Sequence, residues 1–289
     1  MKVHVDAEVQ RGIAEALGAE VTAARGLSGG DINEALAVTL SDGREVFVKT
    51  NAGAPPGMFA AEARGLAWLE AAHALAVPQA LAVGERFLVL PLIRPAPRRP
   101  GFDDALGRGL AVLHHTAPPG WGLDHDNFVG RLPQANGGAG ITTWAAFYRH
   151  RRLEPQLRRA TDAGLLPPRV RADADRVLGR LEDLVGPDEP PARLHGDLWG
   201  GNLMGDAQGR PCLIDPAVYG GHREMDLAMM RLFGGFGSRV FDAYDEAYPL
   251  AEGHQDRVAL HQLYPLLVHV NLFGGSYVGA VADSLAGYV

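Results

Sequence analysis

Three polar residues in the second half of the chain have the types and spacing to move a phosphoryl group. Asp197 and Asn202 lie in Leu194-His195-Gly196-Asp197-Leu198-Trp199-Gly200-Gly201-Asn202, and Asp215 follows thirteen residues later in Cys212-Leu213-Ile214-Asp215-Pro216. Such chemistry divides its labour: one carboxylate orients a hydroxyl, while an amide oxygen and a second carboxylate hold magnesium on a triphosphate. Asp197 fits the first role, and Asn202 and Asp215 the other two. A polar turn between two strands would use the same residue types, so the surrounding elements must decide.

The five-residue step from Asp197 to Asn202 matches that of the catalytic loop H-R-D-x-x-x-x-N, with Gly196 replacing its arginine. Upstream, Leu27-Ser28-Gly29-Gly30-Asp31-Ile32-Asn33 is a small-residue turn between strand-like segments. Its glycines allow backbone N–H groups to approach anionic oxygens, which makes Ser28, Gly29, Gly30 and Asn33 candidate phosphate contacts. No Gly-Lys-Ser/Thr follows, so it is not a Walker A loop. Lysine occurs only at Lys2 and Lys49. Lys49 ends the strand Glu45-Val46-Phe47-Val48-Lys49, and in a chain that otherwise uses arginine it suits a compact point charge. The run from Met58 to Ala72 has helical spacing at Phe59, Ala63, Leu66 and Leu69 and carries Glu62. A strand lysine paired with a helix glutamate is the arrangement that sets an ammonium on nucleotide phosphates.

The next elements frame a nucleotide site. Phe87 to Ile93 is an apolar strand, followed by a stretch from Arg94 to Gly101 holding three prolines. This composition shift marks a boundary between residues 1–92, a nucleotide-binding unit, and 93–289, a unit for catalysis and acceptor binding. At the boundary, backbone groups of Leu90 and Leu92 can face an adenine edge, while Pro91 lacks an N–H. Beyond it the pattern turns helical. His114 and His115 are adjacent on a helix and point apart, so they read as structural. The arginines at 149, 151, 152, 158 and 159 read as a solvated helix face. Asp226 stands where it could cap backbone N–H groups or hold the catalytic loop, and Met225, Met229 and Met230 read as core.

Bulk properties narrow the alternatives. The 289 residues are 47% hydrophobic and 21% charged, with a net charge of -7. That balance fits a globular protein and argues against nucleic-acid binding, which needs a basic footprint. No segment approaches the ~20 apolar residues of a bilayer span, and the charged N-terminus is unlike a secretory signal. A cytoplasmic protein without membrane partners is expected. The lone cysteine, Cys212, rules out an internal disulfide and a zinc cluster built on thiolates.

Together these segments resemble the fructosamine kinase (ketosamine-3-kinase) family, a branch of the protein-kinase-like fold. The resemblance runs nearly end to end. It includes Phe47-Val48-Lys49, Asp126-Asn127-Phe128-Val129-Gly130, Pro133-Gln134, Trp144, Phe147-Tyr148 and Arg152-Leu153. Its most specific parts are His-Gly-Asp-Leu-Trp-Gly-Gly-Asn and Gly-His-Arg-Glu-Met-Asp-Leu-Ala. The resemblance implies an α+β, two-lobed protein: an antiparallel β-sheet N-lobe with one helix and a mostly α-helical C-lobe. It also implies ATP and Mg2+ as cofactors and phosphorylation of the 3-hydroxyl of a free or protein-bound ketosamine. Asp197 would then be the base, Asn202 and Asp215 the magnesium ligands, Lys49 and Glu62 the phosphate clamp, and Trp199 a flat face for the sugar. Family members with a cysteine at the position of Asp31 can form a disulfide-linked dimer there; this chain cannot. Competing readings are a kinase for an aminoglycoside, choline or sugar, and a nucleotide-binding pseudokinase.

Overall fold

The computed structural model describes residues 5–27 and 32–289. The glycine-turn candidates Ser28, Gly29 and Gly30, with Asp31, lie outside the described residues. Helix α1 (Ala7–Leu17) starts where the Asp6 carboxylate accepts the N–H groups of Glu8 and Val9, and ends at Gly18 in the left-handed conformation. Strands β1 (Val21–Gly26), β2 (Glu34–Leu40) and β3 (Glu45–Thr50) follow, then helix α2 (Met58–Glu70) and strands β4 (Ala82–Val83) and β5 (Phe87–Pro91). The strands form one antiparallel five-stranded sheet in the order β1-β2-β3-β5-β4.

Side-chain alternation in the central strand β3 sorts the two faces of the sheet. Val46 and Val48 pack with Val9, Ile13, Leu36 and Val38, so α1 covers that face. Phe47 points to the other, where Met58, Phe59 and Leu66 of α2 pack with Leu88 and Leu90. Lys49 shares the parity of Phe47 and therefore faces α2. The sheet carries two helices, α1 covering the apolar face that α2 does not reach.

The rest of the chain is mostly helical. Its elements are α3 (Phe102–His115), the ribbon β6 (Asn127–Val129) and β7 (Leu132–Gln134), and α4 (Trp144–Phe147), which runs through a π-helical stretch into α5 (Glu154–Asp162). Then come α6 (Pro168–Gly179), α7 (Leu181–Leu184) and strands β8 (Ala192–Leu194), β9 (Leu203–Gly205), β10 (Pro211–Leu213) and β11 (Tyr219–Gly221). The chain closes with α8 (Glu224–Leu232), α9 (Ser238–Ala247), α10 (Val258–Phe273) and α11 (Val278–Ala286). Two small antiparallel ribbons, β8 with β11 and β9 with β10, frame the loops bearing Asp197 and Asp215. Pro265 lies inside α10, where the ring removes a helix N–H. The Tyr148 hydroxyl donates to the carbonyls of Leu260 and His261 at 2.7 and 3.4 Å, so the His261 acceptor that Pro265 abandons keeps a partner.

Phe59 is the wholly buried anchor between α2 and the sheet. Truncation to alanine should lower stability by about 3–5 kcal/mol, read as a shifted urea midpoint at unchanged slope. A loss below about 1 kcal/mol would mean that α2 is held elsewhere.

Candidate active site

Lys49 occupies the centre of the site. Its Nζ lies 2.7 Å from Glu62 Oε1 and 2.7 Å from Asp215 Oδ1, joining strand β3, helix α2 and the loop after β10. The side chain is buried, which disfavours its charge, but the carboxylates of Glu62 and Asp215 outweigh that penalty and raise its pKa. α2 can come this close because Gly65, one turn beyond Glu62, has no side chain. A Cβ there would sit 3.2 Å from Val218 and 3.6 Å from Pro216. Asn33 is tied to the turn after β3, its Oδ1 accepting from Asn51 Nδ2 at 3.0 Å. Leu90 is buried opposite Phe47 in the sheet, Pro91 ends β5 as an exposed residue, and Leu92 begins the connection toward α3.

The loop from His195 to Asn202 is shaped by hydrogen bonds rather than by regular structure. Asp226, near the start of α8, accepts the N–H groups of His195 and Gly196 at 2.7 and 2.9 Å. His114 Nε2 lies 3.2 Å from the same carboxylate, and Tyr244 holds the other nitrogen of that ring at 2.8 Å. Burial works against the charge of Asp226, yet these bonds keep its pKa below the usual value. The His195 ring donates from Nε2 to Ile214 O at 2.9 Å and accepts the Asp197 N–H on Nδ1 at 3.3 Å. That pair of bonds is met by a neutral ring, which burial favours. Gly196 sits at φ 81°, and a Cβ there would lie 2.0 Å from Ala217 O, so no other residue fits.

Asp197 and Asn202 meet as the spacing predicts. Asn202 Nδ2 donates to Asp197 O at 2.8 Å, to Asp197 Oδ2 at 3.1 Å and to Asp215 O at 3.3 Å. Asp215 adopts φ 54°, a left-handed conformation uncommon outside glycine but better tolerated by aspartate than by most residues. Burial raises the Asp197 pKa to about 7; the Asn202 hydrogen bond opposes this, and the carboxylates of Asp215 and Asp226 add to it. The amide oxygen of Asn202 and the carboxylate of Asp215, which is 40% exposed, form a hard-oxygen donor pair of the kind magnesium takes.

Trp199 is 42% exposed, and its indole lies over Gly201, where a Cβ would come within 2.3 Å of the ring. The neighbouring Gly200 packs its backbone against Gly234 and Gly235 in the connection from α8 to α9. Phe233, directly before those glycines, is 39% exposed, and Phe273 at the end of α10 is 44% exposed. Among the described residues these three are the only exposed tryptophan or phenylalanine side chains. His269 bridges Phe233 and Phe273, with its ring centroid 4.7 Å from that of Phe233, 5.5 Å from Phe273 and 5.0 Å from Tyr277. Sequence reading misses this wall because Phe233 and Phe273 sit at helix ends with no motif around them.

A second cluster, His222, Glu224 and His261, has the residue types of a metal site. Its hydrogen bonds argue otherwise. His222 Nδ1 accepts the Glu224 N–H and His261 Nε2 accepts the Trp144 indole N–H, so in the neutral rings the protons sit on the nitrogens that would have to bind metal. Burial pushes the His222 pKa down to about 3, keeping its ring neutral. Arg257 takes both oxygens of Glu224 at 2.6 and 2.9 Å. The cluster packs α8 against α10.

Structural comparison defines the class first. The fold is that of the protein-kinase-like phosphotransferases: a macrolide 2'-phosphotransferase superposes with a TM-score of 0.67 over 99% of both chains at 18% identity. The chain matches the fructosamine kinase family over residues 5–289, and it belongs to that family. A crystal structure of a candidate fructosamine-3-kinase from Thermobifida fusca superposes with a TM-score of 0.89 at 40% identity, covering 98% of this chain and 99% of that one. A probable ketoamine kinase of Thermus thermophilus is 42% identical over 88% of this chain and 90% of its own. A chloroplastic protein-ribulosamine 3-kinase of Oryza sativa is 33% identical over 96% and 82%.

In nucleotide-free protein the Asp197 carboxyl should titrate near pH 7 when followed by carbon NMR of labelled aspartate. Its capacity to accept a proton is then lost as the pH falls through that value. Asp215→Asn removes a like charge and should shift the titration to lower pH; an unmoved titration would leave burial and Asp226 as the causes.

Proposed function

We propose that the protein transfers the γ-phosphoryl group of ATP to the 3-hydroxyl of a ketosamine, the adduct of a sugar with an amine. The observation that carries this reading is the convergence of Lys49, Glu62, Asp197, Asn202 and Asp215, drawn from separate elements, on one site within a chain of the fructosamine kinase family. Asp197 accepts the hydroxyl proton as the oxygen attacks the γ-phosphorus; the bond to the bridging oxygen breaks and ADP leaves. Lys49, held by Glu62, contacts the nucleotide phosphates, with Ser28, Gly29, Gly30 and Asn33 as further phosphate contacts. Leu90, Pro91 and Leu92 border the adenine. Asn202 and Asp215 would hold magnesium, which neutralises charge on the phosphates when bound.

The division into a nucleotide lobe, 1–92, and an acceptor lobe, 93–289, with the cleft between them, belongs to the same proposal. So does a cytoplasmic setting; the described residues contain no helix long and apolar enough to cross a membrane. The sugar packs on Trp199, and the amine-bearing portion of the acceptor lies along Phe233 and Phe273. Aromatic faces suit the C–H surfaces of a sugar and the methylene stem of a lysine. Release of the amine follows because the 3-phosphate labilises the adduct.

Phosphate transfer should be measured across deoxyfructosyl-lysine, ribulosyl-lysine, an aminoglycoside and choline. Turnover confined to the ketosamines is expected. Transfer only to the others makes this a different small-molecule kinase, and ATP binding without any turnover makes it a binding protein. Asp197→Ala should reduce turnover by about 10²–10⁴-fold with ATP affinity within a few-fold, since the base serves the reacting geometry. Unchanged turnover refutes the base assignment.

Phe273→Ala should raise the acceptor KM by about tenfold with kcat and the ATP KM near wild type, the pattern of lost uniform binding. An unchanged acceptor KM removes Phe273 from the acceptor path.

A further inference from the structure

Arg152 is the largest fully buried side chain among the described residues, at 0% exposure, and so is the exception in an arginine run expected to be a solvated face, of which Arg158 and Arg159 are exposed. Within hydrogen-bond distance it has no carboxylate among the described residues. Nη1 donates to Ala135 O at 2.7 Å and Arg151 O at 3.0 Å, and Nη2 to Asn136 Oδ1 at 2.7 Å. Its guanidinium carbon lies 3.9 Å from the ring centre of Tyr219 and 4.8 Å from that of Phe147. A permanent charge buried without a counter-ion carries a large desolvation penalty, which calls for a role beyond packing.

From Arg152 a chain of buried polar groups leads to the active site. Asn136 Nδ2 donates to Asn127 Oδ1 at 2.7 Å, and Gln134 Nε2 donates to the same oxygen at 2.8 Å. Tyr264 holds the far side of Gln134, its hydroxyl donating to Oε1 at 2.6 Å. The chain ends on two backbone carbonyls: Gln134 Nε2 donates to Ala217 O at 3.1 Å and Asn127 Nδ2 to Val218 O at 2.8 Å. These are the second and third peptide carbonyls after the one at Asp215. The Ala217 N–H is fixed from the opposite side by His195 O at 2.9 Å.

We infer that the Arg152–Asn136–Asn127–Gln134 network is a positioning device for Asp215: it clamps the carbonyls of Ala217 and Val218 and so holds Asp215 in its left-handed conformation against Lys49. The strained backbone at Asp215 needs a partner on each side that over-determines it. Upstream, His195 and Asn202 grip Ile214 O and Asp215 O; downstream as far as Val218, the backbone hydrogen bonds among the described residues come from this network and His195 O. Because Ala217 is shared with His195, the network also sets the Asp215 loop relative to the Asp197 loop. It accounts for Asn127, Gln134 and Arg152, which the proposed chemistry leaves unused. The inference rests on the proposed magnesium role of Asp215.

The test is calorimetric ADP binding with and without Mg2+, beside the melting temperature of each variant. Asp215→Ala is the benchmark, and should abolish the strengthening of ADP binding by Mg2+. Gln134→Met and Asn127→Leu should weaken that strengthening by about tenfold while leaving Mg2+-free ADP affinity within about twofold. Leu157→Ala, a core truncation in a helix outside the network, controls for stability: it should lower the melting temperature and leave the Mg2+ effect intact. Tyr264→Phe removes one hydroxyl and provides a milder variant should the others fail to fold; a partial loss is expected. If Asp215→Ala loses the Mg2+ effect while folded Gln134→Met, Asn127→Leu or Tyr264→Phe all retain it, the positioning role is overturned. If Asp215→Ala itself retains the effect, the magnesium assignment has failed instead.

Discussion

One buried ammonium group ties the active site together. Lys49 reaches carboxylates from α2 and from a loop 166 residues further along the chain, and each of those carboxylates depends on it for charge compensation. A lone buried ammonium would shed its proton, and Glu62 and Asp215 would repel each other without it. Three elements therefore satisfy one another electrostatically only when the sheet, α2 and the Asp215 loop are all in place. Gly65 supplies the steric permission, letting α2 close on Pro216 and Val218.

A second constraint acts on the catalytic loop. With hardly any regular structure of its own, that loop is held by the buried Asp226, whose two oxygens collect backbone N–H groups while His114 and Tyr244 support it from α3 and α9. Backbone pinned by a charged acceptor is fixed more firmly than backbone held by water, which suits the base proposed at Asp197, whose reach to a hydroxyl would have to be set within fractions of an ångström. Burial, together with the carboxylates crowded around the loop, brings Asp197 into the neutral range. The packing that fixes Asp197 thus also sets its proton affinity. Trp199 stands exposed in this loop, and the neighbouring Gly200 touches Gly234 and Gly235, directly after the exposed Phe233.

Much of the site is legible in the amino-acid sequence because kinase-type chemistry demands particular atoms at short separations along the chain. Asp197 and Asn202 are five residues apart, close enough for one tight turn to bring them together once Asp226 has pinned the loop. Alternation in β3 and the stripe of α2 likewise put Lys49 and Glu62 on facing surfaces. Arg152 escapes such a reading because a run of arginines on a helix has no signal to distinguish the one turned inward. A structural role for His114 is correct for its burial and incomplete for its bond to Asp226.

By itself the sequence determined the set of chemical groups, the order of the elements and the family, since these follow from residue type and local periodicity. It also supplied the glycine at 196, where any side chain would collide with the Ala217 carbonyl. Tertiary structure alone decided which buried polar groups become partners. The pairing of Lys49 with Asp215, of His114 with Asp226 and of Gln134 with the Ala217 carbonyl spans distances along the chain that carry no periodic signal. Such pairs are chosen by desolvation: a polar group taken out of water must find whatever partner the packed helices bring within about 3 Å, and that partner is known only once the chain has folded.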